Sequence, residues 1–318
     1  MSLVRSLFKY HNVILQLSSD KTGTSAFVYK DNTMILDFDI WLWCPLILAI
    51  AAAFLRHTGV ALVLLGITLL GGFILGRIEL IALVSSLFVL GVSYRLPSLV
   101  SRLKAQPKTK PIFYLGWGVV IVWCALLFVH LIPGFNNLQV LDKVSAGPLS
   151  APFSMYLNLD KPLAFFALLL AYPILLGGES KVRVKPALLV MIPLLLLLPI
   201  ASAFGAIKPE LSLPPWWWLF ALNNLVLTCV AEEALFRGFI QQSLSRRFDW
   251  RVGLVVTSLL FGLAHFAGGP LLMVFAALAG VGYGLVFHFT GRLWCAVLAH
   301  FVFNFCHLVF FTYPILAR

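Results

Sequence analysis

The chain has 318 residues, of which 61% are hydrophobic and only 11% are charged. Soluble domains carry roughly 45–50% apolar and about 25% charged residues, so a water-soluble enzyme, a disordered chain and a secreted disulfide scaffold are excluded. The 23 basic against 12 acidic residues give a net charge of +11, which on so apolar a chain fits basic loops facing anionic lipid headgroups rather than nucleic acid.

Residues 1–39 form the one sizeable polar stretch. Runs at 13–17, 26–30 and 33–38, with Asp31-Asn32 as a turn, predict a small extramembrane arm containing a β-hairpin. The first apolar block begins near Ile40, too late for a cleavable signal peptide. Ten hydrophobic segments follow, at roughly 40–55, 59–76, 78–94, 112–132, 162–177, 186–204, 216–240, 251–268, 270–289 and 293–313. A span needs about 20 residues, and the first, third and fifth segments are short. The expected fold is an all-α polytopic transmembrane helix bundle of about 8–10 spans, with no internal repeat.

The loops are lopsided in charge. Loop 95–111 carries Arg95, Arg102, Lys104, Lys108 and Lys110 with no acid; 179–185 carries Lys181, Arg183 and Lys185; 246–251 carries Arg246, Arg247 and Arg251. All follow odd-numbered segments, and the positive-inside rule makes that side cytoplasmic. The alternate loops hold only Arg77, Lys143, Lys161 and Lys208, each near an acid. Ten spans then put both termini outside, against the four basic residues of the arm. Cys44, Cys124, Cys229, Cys295 and Cys306 all lie in apolar stretches without CxxC spacing, so neither a disulfide framework nor a thiolate metal site is expected.

Ten of the twelve acids lie in the arm, in loops or at segment ends; Glu232 and Glu233 are inside the seventh segment. A charge at bilayer depth costs about 2.5–3.5 kcal/mol on insertion scales. Arg237 stands four residues after Glu233, the spacing of an internal ion pair. Glu232 has Phe236 at its own i+4 position and lies about 100° around the helix, where Thr228 and Asn224 extend a polar stripe. An unpaired carboxylate in such surroundings suits general-base work.

His265 ends the eighth segment, and His300 and Asn304 share one face of the tenth. Glu232 lies 16 residues before Phe248, and His265 lies 15 after Trp250. At about 1.5 Å per residue both sit roughly 23 Å from the intervening turn, so an antiparallel hairpin sets them side by side. His300 is only about 8 residues past the 291–292 turn, shallower unless the helix ends are staggered. His11, His57 and His130 have no evident partner, His288 reads as interfacial and His307 as a packing residue. Ala276, Gly280 and Gly284 form a small-residue packing face. Trp216, Trp217 and Trp218, after Pro214-Pro215, read as an interfacial anchor.

These residues resemble the CPBP family of CAAX-processing and bacteriocin-processing intramembrane proteases. Its EExxxR motif stands here as Glu232-Glu233-Ala-Leu-Phe-Arg237, its FxxxH as Phe261 to His265 and its HxxxN as His300 to Asn304, in order and each in its own segment. The likeness covers about 216–313; the earlier segments exceed the family core of about eight helices. It divides the chain into the arm 1–39, N-terminal transmembrane helices 40–204 and catalytic helices 205–318. It implies a glutamic-type endopeptidase without a cofactor, in which Glu232 and His265 activate a water, His300 and Asn304 hold the oxyanion, and Glu233 and Arg237 support the first motif. Water must reach the site, so a polar cavity opening to the cytoplasmic side is expected. The expected partners are membrane lipid and a membrane-anchored protein or peptide, a prenylated CAAX tail among them, with no nucleic acid, in a bacterial inner membrane. Two other readings stay open. A zinc hydrolase can draw three ligands from Glu232, His265 and His300, although Asn304 suits an oxyanion better than zinc. An ion-coupled transporter also carries intramembrane Glu, His and Arg, although no Gly/Pro break stands beside Glu232. A noncatalytic scaffold fits the intact motif set less well.

Overall fold

The computed structural model describes residues 15–19, 25–29, 35–105, 110–178 and 182–317. In the polar arm, β1 (Leu15–Ser19), β2 (Ser25–Tyr29) and β3 (Ile35–Asp37) pair in sequence order as an antiparallel sheet. Leu17 stands opposite Phe27, and Phe27 opposite Leu36. The Asp31-Asn32 turn, His11, Lys108 and Lys181 lie outside the described residues.

Among the described residues, ten apolar helices occupy the ten hydrophobic blocks. They are α1 (Trp43–Phe54), α2 (Thr58–Ile74), α3 (Leu80–Ala105), α4 (Lys110–Phe128), α5 (Lys161–Ala171), α6 (Val184–Ala203), α7 (Trp217–Arg247), α8 (Trp250–Ala264), α9 (Gly269–Thr290) and α10 (Leu293–Phe310). Six of them, α3, α4, α6, α7, α9 and α10, are long and apolar enough to cross a bilayer, and the other four are shorter. The chain is a multi-pass membrane protein. The third helix is longer than its hydropathy suggests: it runs through Arg95 and Pro97 to Ala105. Charge ends an apolar run in the sequence but need not end a helix, because basic side chains lay their stems along apolar surface and keep their heads in water.

Helix α5 is short because both ends are punctuated. The Asp160 carboxylate accepts from the Lys161 N–H at 2.8 Å, and Pro162 sits in the first turn. At the other end Pro173 disfavours a helical Tyr172. Residues 163–168 are all buried, as expected for a helix apolar on every side.

The connections sort onto two faces. On one, Arg56 donates to the Gly177 carbonyl at 3.3 Å, Gly177 bridges to Arg292, and the Arg183 N–H donates to the Phe289 carbonyl. Trp250 stacks on His288 there, 4.3 Å between ring centroids. This face gathers the turns after α1, α5, α7 and α9, which carry Arg246, Arg247 and Arg251 as well; it is the basic face the loop charges anticipate. The opposite face gathers the connections after α2, α4 and α6 together with the C-terminal segment. Ile78 bridges to Phe135, Ser150 to Leu316 and Pro209 to Phe311. The Arg77 guanidinium pairs with Asp39 at 2.9 Å.

That second face carries structure the hydropathy pattern does not show. Between α4 and α5 stands a two-stranded antiparallel hairpin, β4 (Leu138–Val144) with β5 (Phe153–Leu157). Its register slips twice, between Gln139 and Leu141 and between Leu141 and Val144, and such irregularities blur the period-two signal of a strand. His130, without an evident partner in the sequence, pairs there with the buried Asp160 at 2.5 Å. Trp216 departs from the expected aromatic anchor: it is 2% exposed and packs edge-on against Phe153, whereas Trp218 is 43% exposed. The largest buried cluster runs from Leu42 to Leu308 and includes α5 and α7.

Candidate active site

Helix α7 is not uniformly α-helical. Two π-helical stretches, Asn223–Cys229 and Ala234–Gln241, flank a single α turn, Val230–Glu233. A π stretch closes its hydrogen bonds at i→i+5 and changes which side chains share a face; such bulges gather at functional sites. The turn between them presents Glu232 and Glu233.

Glu233 is fully buried. Its Oε1 accepts from Arg237 Nη1 at 2.8 Å and from His300 Nδ1 at 2.8 Å. Arg237, also fully buried, donates through Nη2 to the Gly280 carbonyl of α9 at 3.0 Å. One turn further on, Gln241 Nε2 donates to the Gly284 carbonyl at 2.9 Å. Two side chains one turn apart on α7 thus reach two carbonyls one turn apart on α9. The small-residue face of α9 makes this possible: a Cβ on Gly280 would lie 3.2 Å from Arg237 Nη2 and 3.3 Å from Ser258 Cα. The Arg237 guanidinium lies 4.5 Å from the Phe261 ring centroid and 5.2 Å from that of Tyr283, so aromatic faces replace part of its lost hydration.

The ring of Phe261 joins the remaining parts. It lies 4.7 Å from the His265 ring and 5.7 Å from that of His300. His300 is 4% exposed and stacks flat on Tyr283 at 4.5 Å. His265 caps the C-terminus of α8, and its Nδ1–H donates to the Phe261 carbonyl at 2.8 Å. That bond fixes the tautomer and leaves a lone pair on Nε2. Glu232 is half-buried and accepts no hydrogen bond among the described residues. Asn304 donates from Nδ2 to Asn224 Oδ1 at 3.2 Å.

Of the six residues singled out, the structure joins Glu233, Arg237 and His300 directly, sets His265 beside His300 across Phe261, and ties Asn304 to α7 one π stretch above Glu232. Helix rise puts His300 shallower than the carboxylates unless the helix ends are staggered; His300 does reach Glu233, and the start of α10 is tied to the segment after α5, where Leu293 donates to the Leu176 carbonyl. Sequence reasoning did not find Tyr283, whose only signal was an aromatic in a small-residue helix. It placed Asn224 on a polar stripe with Glu232 but not against Asn304.

The described grooves lie elsewhere. One of about 560 Å³ opens at Arg56, Tyr94 and Arg95, and an apolar one of about 260 Å³ passes Val226, Val230 and Val297. Neither is lined by Glu232, His265 or Asn304, and the rings of Phe261 and Tyr283 occupy the space between the site helices. The polar chamber expected toward the basic face is therefore not one of these grooves. Among the described residues no three His, Cys, Asp or Glu side chains are grouped to hold a metal ion. Of the three ligands a zinc site would draw on, His300 already gives Nδ1 to Glu233 Oε1 at 2.8 Å.

Residues 214–306 match the family model described as Type II CAAX prenyl endopeptidase Rce1-like. The matched stretch contains all six residues above and agrees with the CPBP resemblance; it supports an intramembrane endopeptidase in general. No curated protein and no solved structure matches the chain.

Proposed function

We propose that this protein, whose Rce1-like stretch spans the whole site, hydrolyses a peptide bond in a membrane-anchored polypeptide with a water activated by Glu232 and His265. The observation that carries the reading is the contrast between neighbouring carboxylates. Glu233 is committed to Arg237 and His300, while Glu232 is half-buried with no hydrogen-bond partner among the described residues. One carboxylate builds the site and the other is left to accept a proton. His265 supports this: with Nδ1–H held by a carbonyl, its Nε2 lone pair is available to the same water.

His300 and Asn304 supply the oxyanion donors. With His300 Nδ1–H held by Glu233, the ring donates to the oxyanion from Nε2 when both its nitrogens carry a proton. Asn304 donates from its carboxamide. Donors fixed in a low-dielectric site need no reorganisation as negative charge develops. Glu233 and Arg237 act as supports, residues 205–318 form the catalytic unit, and 40–204 form its scaffold. We place the basic face in the cytoplasm of a bacterial cell, on the positive-inside rule.

The test uses purified protein in phospholipid nanodiscs and a quenched fluorogenic peptide with a farnesylated CAAX tail. Wild type is expected to cleave it, Glu232→Gln to lose at least about 100-fold in kcat, and cleavage to survive strong chelators. Full activity in Glu232→Gln overturns the reading, and loss on chelation with recovery on added zinc replaces it by a metallohydrolase. A proteomic comparison of cells carrying native protein or Glu232→Gln then identifies the uncleaved substrate.

A further inference from the structure

We infer that Asn224 is the positioning residue for Asn304, set in place by the first π stretch of α7; this rests on the oxyanion role proposed above for Asn304. Asn224 Oδ1 receives two donors, the Asn304 amide at 3.2 Å and the Cys229 thiol at 3.3 Å. Asn224 is 8% exposed and Cys229 fully buried. The thiol contact joins residues five apart. In an α-helix that spacing turns the two side chains about 140° away from each other; in a π-helix, whose repeat is i→i+5, it stacks them. The stretch Asn223–Cys229 is π-helical, so the backbone irregularity and the side-chain contact explain each other. The outcome is a chain of hydrogen bonds from Cys229 through Asn224 to Asn304, crossing from α7 to α10.

A primary carboxamide has two N–H groups. With one given to Asn224, the Asn304 side chain is held in one orientation and the other N–H is left to meet developing negative charge. Asn304 stands four residues after His300, so Asn224 fixes the second donor of the pair, as Glu233 fixes the first. Glu232 lies eight residues after Asn224 on the same helix. One helix therefore sets the base and both donors in a common frame.

The alternative is a simple interhelix clasp, which would affect stability without affecting chemistry. With the farnesylated fluorogenic peptide as probe, Asn304→Ala is expected to lose about 10²–10³ in kcat. Asn224→Ala is expected to lose about 10–100-fold in kcat with KM within about twofold, since a displaced donor weakens only the transition state. The double variant should be no slower than Asn304→Ala alone. Multiplying losses in the double variant, or wild-type kcat in Asn224→Ala, overturns the inference. Wild-type kcat in Asn304→Ala overturns the oxyanion reading instead. Should Asn224→Ala fail to fold, Asn224→Leu keeps much of the side-chain shape, brings no charge into the buried site and removes the acceptor that holds Asn304. It should melt like wild type in detergent and lose kcat, and a wild-type kcat there also sinks the inference.

Discussion

Replacing Arg237 by Met separates the ion pair from the packing. The arginine is fully buried, bonded to Glu233 at 2.8 Å and to the Gly280 carbonyl at 3.0 Å, and covered by the Phe261 ring. Methionine keeps most of the apolar stem and removes the charge. Glu233 is then a buried carboxylate facing only His300, and its other oxygen, Oε2, already has no partner. Breaking a buried pair from one side costs about 3–5 kcal/mol. The Gly280 carbonyl adds little, because it lies inside α9 and keeps its helical partner. A loss of about 3–5 kcal/mol is a factor of roughly 10²–10⁴ in the folded-to-unfolded ratio. Chemical unfolding in mixed micelles reads it directly. The companion variant is Glu233→Gln/Arg237→Met. Its amide oxygen still accepts from His300 Nδ1, and no orphan charge remains, so most of the lost stability should return. Activity should not return, since His300 then faces no carboxylate. If Arg237→Met unfolds within about 1 kcal/mol of wild type, or the double variant is as unstable as the single one, the ion-pair argument is wrong.

Two further outcomes check the packing and the topology. Gly280→Ala forces a methyl to 3.2 Å from Arg237 Nη2 and 3.3 Å from Ser258 Cα, and should cost about 1–3 kcal/mol as overpacking; Gly66→Ala, with open space around its Cβ in α2, should be neutral or slightly stabilising in the same melting experiment. In a cysteine-free background, Arg247→Cys and Lys143→Cys should react with a membrane-impermeant maleimide from opposite sides of sealed vesicles; labelling from one side would break the alternation of the ten helices.

The sequence displays most of what the bilayer dictates. Apolar blocks mark all ten helices, six of them long enough to span, because lipid leaves the backbone few alternatives. The pairing of Glu233 with Arg237 is readable because it is local to one helix. Contacts between helices are not readable in the same way. Helix rise alone left the height of His300 dependent on how the helix ends are staggered, and the start of α10 is tied to Leu176 and Gly177, in the connection after α5. The partner of Asn304 was hidden because the π stretch breaks the 3.6-residue count on which face assignments depend. Trp216 follows two prolines and resembles its exposed neighbours in every sequence feature; only β5, itself masked by register slips, explains why it is buried.

The meeting of Gly177 with Gly291 has a consequence for engineering. Gly177 has φ +88, and a Cβ on it would overlap the Gly291 carbonyl; the strand-like bridge from Gly177 to Arg292 depends on that bare approach. This bridge seats the first residue of α10, and so the height at which His300 and Asn304 hang, on a segment that precedes the Rce1-like stretch. A transplanted 214–306 fragment would carry every motif residue and still lack its ruler. Minimal versions of this protein should therefore be cut upstream of α5, with the pair of abutting glycines kept together.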